Sequence, residues 1–566
     1  MNLAERFPQT VTSDQRPGYS GWIVPSEFLL ETARKLRDEE DYRYLSSITG
    51  VDYLPEDQLE VVYHFFQLGG GPALVLKTRT PREDPVLPSL TSLYPGAEFQ
   101  EREIWDLFGV RFTGHPDLRR ILLWEGFSGH PLRKDWREPL FEEDAKPFAS
   151  RWPAGTAAHK SDEGYIRAPE GILPEGWESR DDRALYAALE SAPQARNGSL
   201  QTERLMVNLG PQHPSTHGVF RIAALLDGEN VVDLKPVMGY LHRCHEKIGE
   251  RNTYLANIPF TDRLDYLTSL SNNFGYVLTV EKLMGIRPPE RAEYLRVILA
   301  ELTRIVSHLW SIGFLLNDLG AFFTPALYAI EERELVLDIF EAVTGSRMMC
   351  NFFRFGGLAR DIPDELLEKI RGLIEERLPR KVDELDSYLT ENEILKERCI
   401  GVGMLTPEQA VAYSAAGPVL RASGIPYDVR KAEPYSVYDR LEWDVACRKG
   451  CDVYDRYRVR MDEIRQSIRI VAQALHSLPV GEIQTGKPAY QVRVPPGEAY
   501  GRVEGPKGEL GFYVVSSGAP NPWRYHVRAP SFINLTSMAE MCRGQKVADV
   551  VAVLGSIDII LGETDR

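Results

Sequence analysis

The chain has 566 residues, which at roughly 150 residues per domain allows three or four domains with sizeable cores. Its 66 basic and 82 acidic residues leave a formal charge of −16, which argues against a nucleic-acid partner gripped through phosphates and against anionic membrane surfaces. A hydrophobic content of 43% with 26% charged residues marks a globular protein and excludes a disordered one.

The opening MNLAERFPQT lacks the apolar stretch of a signal peptide, so the expectation is a protein that stays in the cytoplasm. Six cysteines, the first at Cys244, make no disulfide framework and fit a reducing compartment. The most apolar uncharged run, between Arg304 and Asp318 and containing His308, is far short of the roughly 20 residues of a membrane span. Any membrane association is therefore expected to come through partners.

From Pro25 to Arg37, apolar Phe28, Leu29 and Leu36 predict an amphipathic helix. YLSSITGVDYL and LEVVYHFFQL read as strands, Gly69 to Gly71 as a turn, and PALVLKTRT as a third strand. LPSLTSLYPGAEFQEREIWDLFG reads as helical on both sides of Pro95 and Gly96. Residues 1–140 thus form an α/β unit, and the Pro-, Gly- and charge-rich 141–200, helical only near Arg183 to Leu189, reads as a linker.

A second unit, 201–566, opens with short strands around an Asp227-Gly228 turn. It becomes helical from Gly239 to about His476, and alternates again from Tyr490 in YQVRVPPG, GRVEGPKGELGFYVVSSG and WRYHVRAPSF. The overall class is α+β and multidomain, the second unit having a β-rich start, a helical core and a β-rich C-terminal part.

Several motifs carry no site. GEIQTGKP ends in Pro488 where a phosphate loop needs Ser or Thr, and GVGML has Thr406 where a dinucleotide fingerprint needs glycine. Cys447 and Cys451 have no second cysteine pair to complete a thiolate site. Six scattered cysteines also argue against an intrinsic iron-sulfur cluster, which normally takes four thiolates in local runs. HRCHEK lacks zinc-protease spacing and reads as a charged helix start. In PPERAEYLRVILAELTRIVSHLWSIGFLLNDLG, Glu301, Arg304 and His308 form a polar stripe on an apolar rod, and buried charges of this kind must be paired.

Two features point to chemistry. GPQHPSTHG holds His213 and His217 in a glycine-bounded turn able to bring imidazoles close to a ligand. Asp318 ends a helix where the dipole disfavours an anion, so it needs a cationic or hydrogen-bonding partner such as an imidazole.

Longer stretches carry a resemblance that spans almost the whole chain. EREIWDLFGVRFTGHPDLRRILLWEGFSGHPLRKDW, Glu101 to Trp136, resembles the C subunit of respiratory complex I. GPQHPSTHG, GYLHR, TYLANIPFTDRLDYL, VEKLMGI, AELTRIVSHL, LRASGIPYDVRKAEPYSVYD and LGSIDIILGETDR resemble the D subunit. The resemblance implies a fused C/D subunit of a proton-translocating NADH-quinone oxidoreductase, active only within the complex and peripheral on the cytoplasmic side of the inner membrane.

The same resemblance implies that the second unit is similar in fold to nickel-iron hydrogenase large subunits, without their metal: Leu264 to Thr268 follow Arg263, and DIILGE replaces the terminal cysteine pair. His217 and Tyr266 match the hydrogen-bonding partners of a quinone head group, and Asp318 matches the carboxylate behind the histidine. Arg243 matches an arginine beside, but not ligating, a 4Fe-4S cluster held by the neighbouring B subunit; Cys244 and His245 replace a usual glycine and apolar residue. The implied partners are the cluster-bearing B subunit, the quinone-site H subunit of the membrane arm and other hydrophilic-arm subunits. NADH and FMN belong elsewhere in the complex, and this chain alone binds no cofactor. Met349 stands where many members carry a titrating histidine. We predict that the neighbouring cluster's potential varies little with pH between roughly 6 and 8; a redox titration with a slope near one proton per electron would contradict this.

Overall fold

A computed structural model describes residues 11–137, 181–191, 204–321, 323–486 and 492–566. Most of the expected linker and the end of GEIQTGKP lie outside the described residues. The first unit is a five-stranded sheet. Short β1 (Thr12–Ser13) and β2 (Trp22–Ile23) precede α1 (Ser26–Glu39), whose Leu29, Ala33 and Leu36 are buried. Long β3 (Tyr44–Tyr53), β4 (Gln58–Phe66) and β5 (Leu74–Pro81) complete the order β1-β2-β5-β4-β3, antiparallel except for the β2–β5 pair.

The LPSLTSLYPG half of the next segment is not helical. It runs as β6 (Val86–Pro88) and turns, because Pro88 and Pro95 bracket too few residues for a helix and the Glu101 carboxylate takes the hydrogen bonds of Leu90 N–H (2.7 Å) and Ser89 Oγ (2.6 Å). Only α2 (Glu98–Phe108) forms, ended by Gly109 in the left-handed conformation, and β7 (Arg111–Thr113) pairs with β6.

Within 141–200 the described part is α3 (Asp181–Glu190), whose Leu185 and Leu189 pack on Ala223 and Leu225. That surface belongs to the antiparallel sheet of β8 (Arg204–Leu209), β9 (Arg221–Asp227) and β10 (Asn230–Val237). Then come α4 (His245–Arg251), a short helix Tyr254–Thr261, α5 (Ser269–Met284), α6 (Glu290–Asp318) and α7 (Thr324–Thr344). A small hairpin, β11 (Phe353–Arg354) and β12 (Gly357–Leu358), is gripped by Ile483 and Gln484, which gives the GEIQ loop a structural role.

Helix α6 is the axis of the second unit, packed against α7 and against α8 (Val453–His476). Among the described residues it is the one helix long and apolar enough to cross a membrane, but 89% of its most apolar window is buried inside the fold, so it reads as a core helix. Its polar stripe is a buried ion network. Arg430 and Arg304 hold Glu301 at 3.0 and 3.2 Å, while His308 Nε2 and Arg421 meet Glu463 of α8 at 2.7 and 2.6 Å.

The chain closes with β13 (Gly497–Gly505), β14 (Gly508–Ser516) and β15 (Arg524–Arg528). Of YQVRVPPG, residues 492–496 form no strand and Gly497 opens β13. The C-terminal part is less β-rich than expected: after Pro530 the apolar residues recur at helical spacing and form short helices, including α9 (Val547–Ile557) and α10 (Leu561–Asp565). The two units meet across β3. Val51, Tyr53 and Val62 share a small core with Tyr513 and Val515, and Arg524 Nε donates to the Gly50 carbonyl at 2.7 Å.

Candidate functional site

Pro214–Thr216 make one 3-10 turn that keeps GPQHPSTHG compact. The exposed His213 caps it, its Nδ1 accepting from Ser215 N–H at 3.2 Å. Of the two histidines only His217 is delivered to a partner. It ends the turn at φ +53°, and its Nε2 lies 2.6 Å from Asp318 Oδ2 at the C-terminus of α6. This is the imidazole that the position of Asp318 demanded. Burial opposes a charge on the ring, but the hydrogen bond and charge of Asp318, helped by Asp558, hold the His217 pKa above its ordinary value.

Tyr266 sits on the turn between Tyr254–Thr261 and α5. Its neighbours Leu264 and Leu267 point into the core and Tyr266 is 40% exposed. Asp265 anchors that turn. It is buried, accepts from Leu267 N–H at 2.9 Å, and pairs at 2.9 Å with buried Lys507 from the β13–β14 turn, which lies 3.8 Å from Asp558. Tyr266 makes no hydrogen bond to His217 among the described residues. The two rings are instead linked by a common buried cluster, since Asp558 acts on both. Burial and the charge of Asp265 raise the Tyr266 pKa, and Lys507 opposes them, so the phenol keeps its proton at neutral pH. Beside this cluster, burial and Asp265 push Glu563 up to about 7.

Asp265, Lys507, Asp558, Glu563 and Gly555 were not recognised from sequence as site residues. Gly555, on α9, faces the His217–Asp318 pair: a Cβ there would stand 3.1 Å from Asp318 Oδ2 and 3.9 Å from His217 Nε2. A glycine inside an otherwise apolar helix was the available signal.

Arg243 is exposed and apart from these residues, on a groove of about 680 Å³ that Trp124, Trp136, Lys247 and Trp523 also line. Among the described residues, one group of potential metal donors converges, Glu103, Glu246 and His526. Arg566 at 2.5 Å from Glu103 and Arg524 at 2.7 Å from Glu246 already neutralise it. The six cysteines are free, as expected.

The two units and their junction define a class. Residues 22–140 match the family profile described as respiratory-chain NADH dehydrogenase, 30 Kd subunit, and residues 318–566 match the 49 Kd subunit of the same enzyme. Over 596 residues the chain is 38% identical to the NADH-quinone oxidoreductase C/D subunit of Methylococcus capsulatus (strain ATCC 33009 / NCIMB 11132 / Bath), covering 99% of this chain and 96% of that one. Over 374 residues it is 56% identical to the first NADH-quinone oxidoreductase D subunit of Roseiflexus sp. (strain RS-1), covering 65% of this chain and 100% of that one. The chain belongs to the family of NADH-quinone oxidoreductase C/D subunits.

Proposed function

We propose that this chain helps form the quinone head-group site of a proton-translocating NADH-quinone oxidoreductase and supplies protons for quinone reduction there. The observation that carries the reading is the His217–Asp318 pair at 2.6 Å. Because Nε2 is committed to Asp318, Nδ1 is the ring nitrogen that faces a ligand, and protonation of the ring turns Nδ1 into a donor. Tyr266 offers a second proton from a partly exposed phenol. A quinone that takes two electrons needs two protons at its two oxygens, and an imidazolium with a phenol supplies them locally. Asp558, Lys507 and Asp265 fix the field in which both donors are re-protonated.

On this reading the second unit has the fold of nickel-iron hydrogenase large subunits with the metal chamber given over to quinone. The first unit serves assembly. Arg243 faces the terminal 4Fe-4S cluster of the neighbouring B subunit, and the H subunit of the membrane arm closes the quinone chamber. Exposed Leu327 (63%) and Tyr328 (51%), shortly after Asp318, support a covered face there, because apolar residues of this size clustered at a surface mark contacts. The complex then sits peripherally on the cytoplasmic face of the inner membrane, with NADH and FMN bound by other subunits. Domain limits of 1–140 and 201–566 with a linker at 141–200 are part of the same proposal.

The test is quinone reduction by the assembled complex, fed by NADH or an artificial donor, in Tyr266→Phe and His217→Ala variants. Loss of a positioned proton donor lowers the rate about 10²–10⁴-fold, while cluster reduction continues. Unchanged rates in complexes of equal assembly would leave a non-catalytic scaffold as the better reading.

A further inference from the structure

His242 and Cys244 flank Arg243, and their side chains turn toward each other, with Cys244 Sγ 3.6 Å from His242 Nε2. The other ring nitrogen decides which way the proton runs. His242 Nδ1 is 2.6 Å from the backbone carbonyl of Asp565, and a carbonyl only accepts, so Nδ1 carries hydrogen. The neutral ring thus presents a bare Nε2, to which the thiol donates. Asp565 is fixed in turn, its carboxylate accepting from Gly239 N–H at 2.9 Å and Leu241 N–H at 2.7 Å. Nucleophile, base and a rigid orienter stand in sequence, the arrangement that activates a thiol.

No other cysteine has this setting. Cys350, Cys399, Cys451 and Cys542 are buried. Cys447 is partly exposed, but its Sγ faces the Arg421 carbonyl at 3.3 Å, an acceptor that favours the thiol over the thiolate. Cys244 is also partly exposed and opens on the groove of about 680 Å³ beside Arg243, Lys247 and Trp124. The charged groups facing the pair are Glu103 and Asp106 of α2, the Asp565 carboxylate and Arg566 of the C-terminal segment, and Arg243, Glu246 and Lys247 of its own segment, with Lys134, Glu250 and Arg251 further along the groove. Burial disfavours a charged His242 ring, yet the Cys244 hydrogen bond, its charge and the Asp565 carbonyl push the ring up to about 8.

We propose that Cys244 is a nucleophilic thiol activated by His242, a modification site for small anionic disulfides drawn to the Arg243 and Lys247 side of the groove. His242 Nε2 takes the thiol proton and the Cys244 thiolate attacks one sulfur of the disulfide. The disulfide S–S bond breaks as the new Sγ–S bond forms, and the leaving thiolate recovers the proton from the imidazolium. Cys244 is oxidised to a mixed disulfide and half of the small disulfide is reduced to its thiol. That Arg243 and this groove meet the cluster-bearing partner rests on the reading above; on it, the adduct and the partner compete for one surface.

The test is alkylation by iodoacetamide and adduct formation with oxidised glutathione, followed cysteine by cysteine by mass spectrometry in the full chain. At pH 7 Cys244 reacts at least about tenfold faster than Cys447, since an ordinary thiol near 8.5 is only a few per cent ionised there. His242→Asn, which keeps a donor for the Asp565 carbonyl and removes Nε2, brings the Cys244 rate down to that of Cys447. Cys244→Gly, compatible with the backbone at φ +53°, abolishes the glutathione adduct with the fold intact. A Cys244 rate equal to that of Cys447, or one untouched by His242→Asn, overturns the proposal. In the assembled complex Cys244 becomes protected; unchanged labelling there would sink the placement of the partner and leave the thiol chemistry standing.

Discussion

The His217–Asp318 pair makes a sharp prediction about pH. The folded pKa of His217 lies above the ordinary 6.5, so its contribution to stability is full below 6.5 and is lost as pH rises through the folded value. Asp318→Asn keeps the size of the side chain but removes the charge, and the ring then loses its proton at lower pH. The alkaline limb of quinone reduction should move to lower pH, each unit corresponding to about 1.4 kcal/mol; a pH profile superimposable on that of the unmodified complex would contradict the pairing. Gly555→Ala tests the same pair from its other side. Alanine favours a helix interior by about 1 kcal/mol over glycine, whereas crowding Asp318 at 3.1 Å costs about 1–3 kcal/mol. The net cost is at most about 2 kcal/mol, so the melting temperature should fall by no more than a few degrees while quinone reduction falls. A large fall in melting temperature with normal turnover would show that Gly555 serves packing alone.

At the scale of the helix, α6 shows what could be read from sequence and what could not. Glu301, Arg304 and His308 announced a paired stripe by their spacing, and Asp318 announced its partner by its place at a helix end. The partners Arg421, Arg430 and Glu463 were invisible, because nothing local marks a residue more than a hundred positions away as the counter-ion. His213 and His217 look alike in a string, and only the fold separates them: His213 caps the turn that presents His217. Burial drives His308 down to about 4, so at neutral pH a neutral ring donates Nε2–H to Glu463, which Arg421 keeps ionised. Glu463→Gln takes from Arg421 one of three carboxylates, Glu504 at 2.8 Å and Asp428 at 3.4 Å remaining, so the loss should fall below the about 3–5 kcal/mol of a buried charge left without a partner. Denaturant unfolding with hydrogen exchange along α6 should register that loss; a cost below about 1 kcal/mol, the range of exposed pairs, would mean that water reaches the network.

The molecule as a whole behaves as two units joined by more than a tether. Lys77 on β5 is fully buried and pairs with Asp14 at 2.7 Å and with Glu498 on β13 at 2.5 Å. Trp523 Nε1 donates to the Asp52 carbonyl at 2.9 Å, Lys134 meets Glu250 at 2.7 Å, and Arg566 reaches Glu103 at 2.5 Å. A covalent link between surfaces that already fit raises their effective concentration but adds no contact. Cutting the chain between residues 141 and 200 should therefore leave two polypeptides that co-elute on size exclusion. They should remain together at about 1 M salt, where the screening length is about 3 Å and only buried pairs keep their strength. Lys77→Met in the split chain should weaken that association, because it takes from buried Glu498 its cationic partner across the junction and leaves Asp14 to Arg16 alone. Separation of the unmodified halves at high salt would mean that the junction is a wet, surface-like contact and that the fusion itself holds the units together.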